Sequence, residues 1–257
     1  TLYKTPLKEL KNLKQYKSFK LKIFKQEGSI TSKKKIENIL KRKIEYFYSN
    51  KNIGLPKASN ILLKKVRSKY LLFTQADILI DEKSIIKLAK IFKKDKRIIF
   101  ATPNITKKFK KNEKNNDIAF VKNIKAACMV CDTNKLKKVG FFDEDYFLYW
   151  EDIELVNKIN KSNFKMVLAN KIFAKHSSSQ SSEHGIKTQY LRSSNYIYGE
   201  LVYDFKNNKL KIIKIFRKII QNFILFFYDI FRFKFNKSLI RIFIIMGILK
   251  FILFYIS

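Results

Sequence analysis

The sequence predicts an α/β protein: a mainly parallel, Rossmann-like sheet flanked by helices, followed by a helical tail of different character. Three observations carry this. Between positions 19 and 169 short apolar strands alternate with helices of about ten residues, as in βαβ units. One strand, Tyr70-Leu71-Leu72-Phe73-Thr74, is apolar on both faces, as a central parallel strand is. The last fifty residues drop the alternation and become two long helices rich in Ile and Phe.

In order, Pro6 with Leu7, Leu10, Leu13 and Tyr16 marks a helix with Pro in its first turn and one apolar stripe. Phe19, Leu21 and Ile23 alternate with Lys20 and Lys22, which is a strand. Gln26-Glu27-Gly28-Ser29 turns the chain, Ser32 is placed to cap a helix carrying Ile36, Ile39 and Leu40, and residues 44–48 form the next strand. Residues 50–56 are a turn with Gly54 where φ is positive and Pro56 opening a helix that presents Ala58, Asn60, Ile61, Leu62 and Val66. The strand from Tyr70 ends at Gln75-Ala76-Asp77, which puts Asp77 at a strand's carboxyl end. Asp81 starts a helix burying Ile85, Ile86, Leu88, Ala89 and Phe92, and residues 98–101 are a further strand. Residues 107–116, rich in Lys and Asn, read as a surface loop. Residues 126–131 form a core strand, residues 133–139 a short helix stopped by Gly140, residues 151–160 a helix and residues 164–169 a strand, with His176 in the Ser-rich run that follows.

The 46% hydrophobic content, with 15% aromatics, is ample for a core, and the natural division is one catalytic-size domain, 1–205, with an appendage, 206–257. The formal net charge of +34 comes mostly from Lys, whose point charges lack the bidentate forks suited to reading bases. Such a chain is drawn to anionic surfaces, but the Lys-rich stretches carry too few aromatics for a stacking platform, so nucleic acid is not the expected partner. Cys128 and Cys131 form a single CxxC with no second pair to complete a zinc site, and read as buried strand cysteines of a reducing compartment. The start, Thr1-Leu2-Tyr3, carries no secretory pattern and reads as a clipped first strand.

In the tail, Lys214, Arg217, Lys218, Gln221, Asn222, Tyr228, Asp229 and Arg232 recur at threes and fours, leaving a wide Ile and Phe face: an amphipathic helix. Residues 239–256 are more apolar, broken by Arg241, Gly247 and Lys250, and would reach about 27 Å against a hydrocarbon core of roughly 30 Å. An in-plane or shallow helix is therefore expected over a span, on an anionic membrane surface. The rival is a helical pair packed back on the domain.

Six of the 21 acidic residues fall between positions 143 and 154, with the only Trp between the two acidic groups. Alone, this stretch is equally a solvated loop opening an ordinary helix, or carboxylates held against an apolar wall as metal ligands or proton acceptors. Asp77 alone reads as a helix cap or turn residue, and His176 alone as a loop histidine. Together, at strand ends and helix starts of an open α/β sheet, they read as a divalent-metal site of oxygen ligands plus one imidazole.

The succession Asn52-Ile53-Gly54 with Ala58 and Asn60, then Leu72-Phe73-Thr74-Gln75-Ala76-Asp77, then Gly140-Phe141-Phe142-Asp143-Glu144 with Tyr149-Trp150-Glu151-Asp152, and finally His176, resembles family 2 glycosyltransferases of the rhamnosyltransferase-like group over residues 1–200. The resemblance implies a GT-A fold, an NDP-sugar donor, Mg2+ or Mn2+, and inversion at the anomeric carbon; with the basic aromatic tail as membrane contact, the expected acceptor is a glycan or lipid-linked one at the cytoplasmic face of a bacterial membrane. It implies Asp152 as catalytic base and Asp77 with His176 at the metal. It places Glu151, Asp143 and Trp150 by the acceptor, and Tyr3, Glu27, Asn52, Gly54, Asn60, Gln75 and Ala127 by the donor. Three positions depart from the family: Gln26-Glu27 stands where an Asp is common, Gln75 replaces Asp two residues before Asp77, and almost no strand precedes Tyr3. Two other readings stand beside it: a basic membrane- or nucleic-acid-binding module with a degenerate GT-A pocket, and a GT-A nucleotidyltransferase, which would need a Gly- and Arg-rich phosphate loop that the start of the chain lacks.

Overall fold

A computed structural model describes residues 1–106, 117–124, 126–176 and 185–255, and the chain forms two compact units. The first is Thr1–Phe142 with Leu155–Glu183, the second Asp143–Glu154 with His184–Ser257. The surface loop expected at 107–116 lies outside the described residues.

The first unit is α/β. It contains Leu7–Lys11 (α1), a 3-10 turn at Asn12–Gln15, Lys22–Lys25 (β1), Ile30–Leu40 (α2), Glu45–Tyr48 (β2), Leu55–Lys64 (α3), Tyr70–Thr74 (β3), Ile78–Leu79 (β4) and Glu82–Ile91 (α4). Then come Ile98–Thr106 (β5), Ile118–Val121 (β6), Cys128–Asp132 (β7), Thr133–Val139 (α5), Glu151–Asn160 (α6), whose first turn belongs to the second unit, and Lys165–His176 (β8). Strands β1 and β2 pair in parallel, and Leu2 bridges in parallel to Lys25, donating its N–H to the Phe24 carbonyl at 2.8 Å. The larger sheet runs β3-β7-β5-β8-β4, with β6 also on β8. Within it β5 and β8 are parallel, while β3–β7, β5–β7, β4–β8 and β6–β8 are antiparallel.

Strand β3 therefore corrects an expectation: it is not central and parallel but sits at the end of the sheet order, antiparallel to β7. Its two apolar faces are both covered, Leu72 against one core cluster and Leu71 and Phe73 against the other, and a face pattern reads the same whichever way the neighbour runs. Strand β7 is the doubly buried one. Its side chains alternate, Cys128 and Val130 joining one cluster and Met129 and Cys131 the other. The two thiols thus stand on opposite faces, both buried and unpaired with each other, and burial pushes Cys128 up to about 12.

Local chemistry explains most element ends. Ser29, not Ser32, caps α2, its hydroxyl accepting from the Ser32 N–H at 3.3 Å. Asp81 caps α4 in the same way, accepting from the Ser84 N–H at 2.8 Å. Gly54 precedes α3 at φ 87°, in the region that favours glycine. Strand β8 does not stop at Ala169. It continues past a register shift opposite Pro103 and Asn104 and carries His176 as its last residue, so His176 is a strand residue and not a loop histidine.

The second unit is helical: Ile186–Lys206 (α7), Ile212–Phe231 (α8) and Phe235–Tyr255 (α9). Its core joins Tyr146, Ile197, Tyr198, Leu201, Val202, Ile215, Ile248 and Phe251. Helix α7, which polar residues such as Ser193, Ser194 and Asn195 hide from periodicity, packs on α9, and α9 in turn packs on α8. A Cβ on Gly247 of α9 would stand 2.2 Å from the Ser194 carbonyl oxygen of α7, so the two helices meet backbone to backbone. Helix α9 is long and apolar enough, by length and composition, to cross a membrane, yet one of its faces is committed to this core.

Candidate functional site

In the first unit the informative residue is Asp77. The turn after β3 is closed by the Gln75 N–H donating to the Ala127 carbonyl at 3.1 Å and by the Ile78 N–H donating to the Gln75 carbonyl at 3.3 Å. Its outer side is held by Asn12, whose amide donates to the Ala76 carbonyl at 3.1 Å and to the buried Glu9 carboxylate at 2.9 Å. Register then does the rest: Ile78 of β4 faces His176 of β8, which brings His176 Nε2 to 3.3 Å from Asp77 Oδ2. The Asp77 side chain is 1% exposed, and neither carboxylate oxygen has a hydrogen-bond partner. A buried, unsatisfied carboxylate is destabilising by at least about 1–3 kcal/mol unless a cation meets it. The pair therefore fits a hard divalent ion with one oxygen and one imidazole ligand from the chain. No group of three or more His, Cys, Asp or Glu side chains that could hold an ion alone is found among the described residues.

Also in the first unit, Gln26 ties together the loop that carries Asn52 and Gly54, two of the residues expected at the donor. Its amide donates to the Gly54 carbonyl at 2.7 Å and accepts from the Ile53 N–H at 3.0 Å, while its backbone N–H donates to Leu2 at 2.8 Å. Asn52 accepts from the Gly54 N–H at 3.1 Å, an Asx turn that shapes the loop. Gln26, read in the sequence only as a departure, is thus a 3% exposed clamp that joins the end of β1 to the 52–54 loop. Glu27 is exposed, at φ 50°, and Tyr3 leaves a buried hydroxyl without a hydrogen bond. Asn60, expected at the nucleotide, uses both ends of its amide on Phe142, donating to its carbonyl at 2.8 Å and accepting from its N–H at 3.1 Å.

In the second unit Glu151 and Asp152 open α6 behind two residues in the left-handed region, Tyr149 at φ 69° and Trp150 at φ 71°. Such a conformation costs of order 1–3 kcal/mol per bulky residue and persists only where packing over-determines it. Here Trp150 packs on Tyr203 at 5.4 Å and on Tyr196 at 5.9 Å, and Gly199 of α7 lies directly below: a Cβ there would stand 3.0 Å from Trp150 Cδ1 and 3.1 Å from the Tyr149 carbonyl.

This strain fixes two unlike carboxyls side by side. Glu151 is 6% exposed with Oε2 unpartnered; burial first, and the neighbouring Asp152 charge second, push it up to about 8. Asp152 is half-buried; burial raises its pKa too, against the pull of the Ile153 N–H, which donates to Oδ1 at 2.9 Å. At neutral pH Glu151 keeps its proton. Asp143, expected beside the acceptor, is ion-paired with Lys206 at 2.7 Å, and Asp145 shares that lysine at 2.5 Å. Glu154, one helical turn on from Glu151, is buried and accepts from Asn207 at 3.2 Å.

Residues 28–156 match the family model described as glycosyl transferase family 2, and the chain belongs to that family. Among solved structures it resembles a mannosyltransferase, PcManGT, from Pyrobaculum calidifontis in complex with GDP-Man and Mn2+, at 10% identity and TM-score 0.55 over 79% of this chain and 62% of that one. It also resembles GalNAc-T7 with UDP, GalNAc and Mn2+, at 13% identity and TM-score 0.55, over 77% and 43% of the two chains. A third is residues 1–349 of TarS from S. aureus in complex with UDP, at 14% identity and TM-score 0.54, over 76% and 63%. The chain spans less than two thirds of each of these proteins, and at such identities the likeness shows the shared GT-A fold. No curated protein matches it.

Proposed function

We propose that this chain is an inverting, metal-dependent glycosyltransferase of the rhamnosyltransferase-like group, moving a sugar from an NDP-sugar to a hydroxyl of a glycan or lipid-linked acceptor at the cytoplasmic face of a bacterial membrane. The observation that carries this is the buried Asp77 carboxylate with two unsatisfied oxygens beside His176, in a chain of this family. A divalent ion, Mg2+ or Mn2+, bound there would neutralise charge developing on the leaving diphosphate. Asp77 and His176 supply two ligands, and the absence of a third among the described His, Cys, Asp and Glu side chains is what a site completed by donor phosphates and water requires. Two of the similar proteins carry Mn2+ with a nucleotide or nucleotide sugar, which supports the same reading.

Asp152 serves as the base. The acceptor oxygen attacks the anomeric carbon, its proton passes to the Asp152 carboxylate, and the sugar–phosphate bond breaks with its electron pair leaving on the nucleoside diphosphate. A raised carboxylate pKa makes that proton transfer more favourable than an ordinary aspartate would. Neutral Glu151 leaves the negative charge on Asp152 and offers an O–H to the acceptor. Gln26, Asn52 and Gly54 shape the donor loop at the end of β1.

The test is release of nucleoside diphosphate from a panel of NDP-sugars by the intact chain and by Asp152→Asn, with and without Mn2+. Turnover that survives this substitution unchanged removes Asp152 from the mechanism, and turnover indifferent to Mn2+ and chelator removes the metal.

A further inference from the structure

Helix α8 is inside out. Several of its polar side chains turn toward the protein: Lys214 pairs with Glu200 at 2.8 Å and with Asp204 at 2.5 Å, and Lys218 pairs with Glu200 at 3.2 Å. Asn222 is buried, and the buried Asp229 meets Arg241 of α9 at 3.3 Å. Most of its large apolar side chains turn outward, with Ile213, Phe216, Ile220, Phe223, Phe227 and Phe231 all more than half exposed. A helix bordered by water arranges itself the other way, so the outer face of α8 is built to meet an apolar phase.

Charge identifies that phase. Lys209, Lys211, Arg217, Arg232, Lys234 and Lys237 are exposed around this face, and the one carboxylate side chain after Asp204, Asp229, is buried. A second copy of the chain would bring these cations against themselves. An anionic lipid surface takes both the cations and the phenylalanines. We propose that the outer face of α8, with the Phe231, Phe233 and Phe235 turn that follows it, is the surface by which the chain lies in an anionic bilayer interface. Helix α9 serves this from behind, its Ile248 and Phe251 in the core with Ile215 of α8. This attachment requires neither the metal nor the base and stands independently of the catalytic reading.

Deleting the tail does not test it, because α8 and α9 supply part of the second unit's core. The full chain is instead sedimented with vesicles of phosphatidylglycerol and phosphatidylethanolamine in equal parts, beside the triple variant Phe216→Glu, Phe223→Glu, Phe227→Glu. The variant is expected to bind at least about tenfold more weakly with unchanged helicity by circular dichroism, and high salt to weaken wild-type binding without abolishing it. Should the variant misfold, Phe227→Cys carrying an environment-sensitive fluorophore is read instead, with a blue shift on vesicles expected. Three results overturn the proposal: wild-type binding that the folded variant retains or that salt abolishes, no blue shift at position 227, or a wild type that ignores vesicles but dimerises through this face until the substitutions break the dimer.

Discussion

His176 Nε2 lies 3.3 Å from Asp77 Oδ2, although the two residues are separated by almost a hundred positions, because Ile78 and His176 are register partners across β4 and β8. The contact leaves both carboxylate oxygens buried without a hydrogen bond. A buried carboxyl group without hydrogen bonds costs stability until a cation or a donor meets it.

Asp77→Asn is therefore expected to raise the melting temperature without metal and to abolish the further rise that Mn2+ with a nucleoside diphosphate produces in the wild type. Removing an unsatisfied buried charge is worth about 1–3 kcal/mol. Differential scanning fluorimetry of both proteins checks it; a variant that Mn2+ still stabilises as the wild type would place the ion elsewhere.

Glu151 makes stability depend on pH. Its folded pKa of about 8 stands above the ordinary glutamate value of 4.5, so the folded state holds the proton longer. The resulting stability is fully present below the unfolded value and is lost as pH rises through the folded one, at a limiting slope of about 1.4 kcal/mol per pH unit. Urea midpoints measured from mildly acidic to mildly alkaline pH should fall for the wild type and flatten for Glu151→Gln. Equal slopes in the two proteins would mean that Glu151 is ionised at neutral pH.

Gly199→Val should be destabilising by about 1–3 kcal/mol, since a side chain there meets the Tyr149 carbonyl and the Trp150 ring at van der Waals limits. Trp150 is the only tryptophan, so its fluorescence reports the displacement directly. An unchanged spectrum with unchanged stability would show that α7 yields and that the left-handed pair is not held from below.

Asn60→Ala strips Phe142 of a donor and an acceptor at once in a buried setting, and about 2 kcal/mol of stability is expected to go with them. If donor affinity falls while the urea midpoint stays, the residue binds nucleotide rather than bracing the chain.

The strand and helix succession of the first unit was legible because period-2 and period-3.6 patterns act locally: α6 runs over the predicted residues and α5 ends at Gly140. Strand β4, with two residues, and β6, with four, are too short to carry a period, and the direction of β3 depends on a neighbour distant in sequence. Among the site residues, Asp77 and His176 were visible as types at strand ends, but their contact was not. Asp143 and Asn60 looked free to bind ligands because the partners that occupy them, Lys206 and the Phe142 backbone, lie more than sixty positions away.

By itself the sequence determined the α/β class, the family motifs and the two apolar helices of the tail, since each is written in neighbouring residues. Only the tertiary structure decided that Asp77 is a buried carboxyl group without a hydrogen bond, that burial raises the pKa of Glu151 beside Asp152, and that α8 turns Lys214, Lys218 and Asp229 in and most of its phenylalanines out. These are properties of burial and of long-range pairing, which exist only once distant segments share one space.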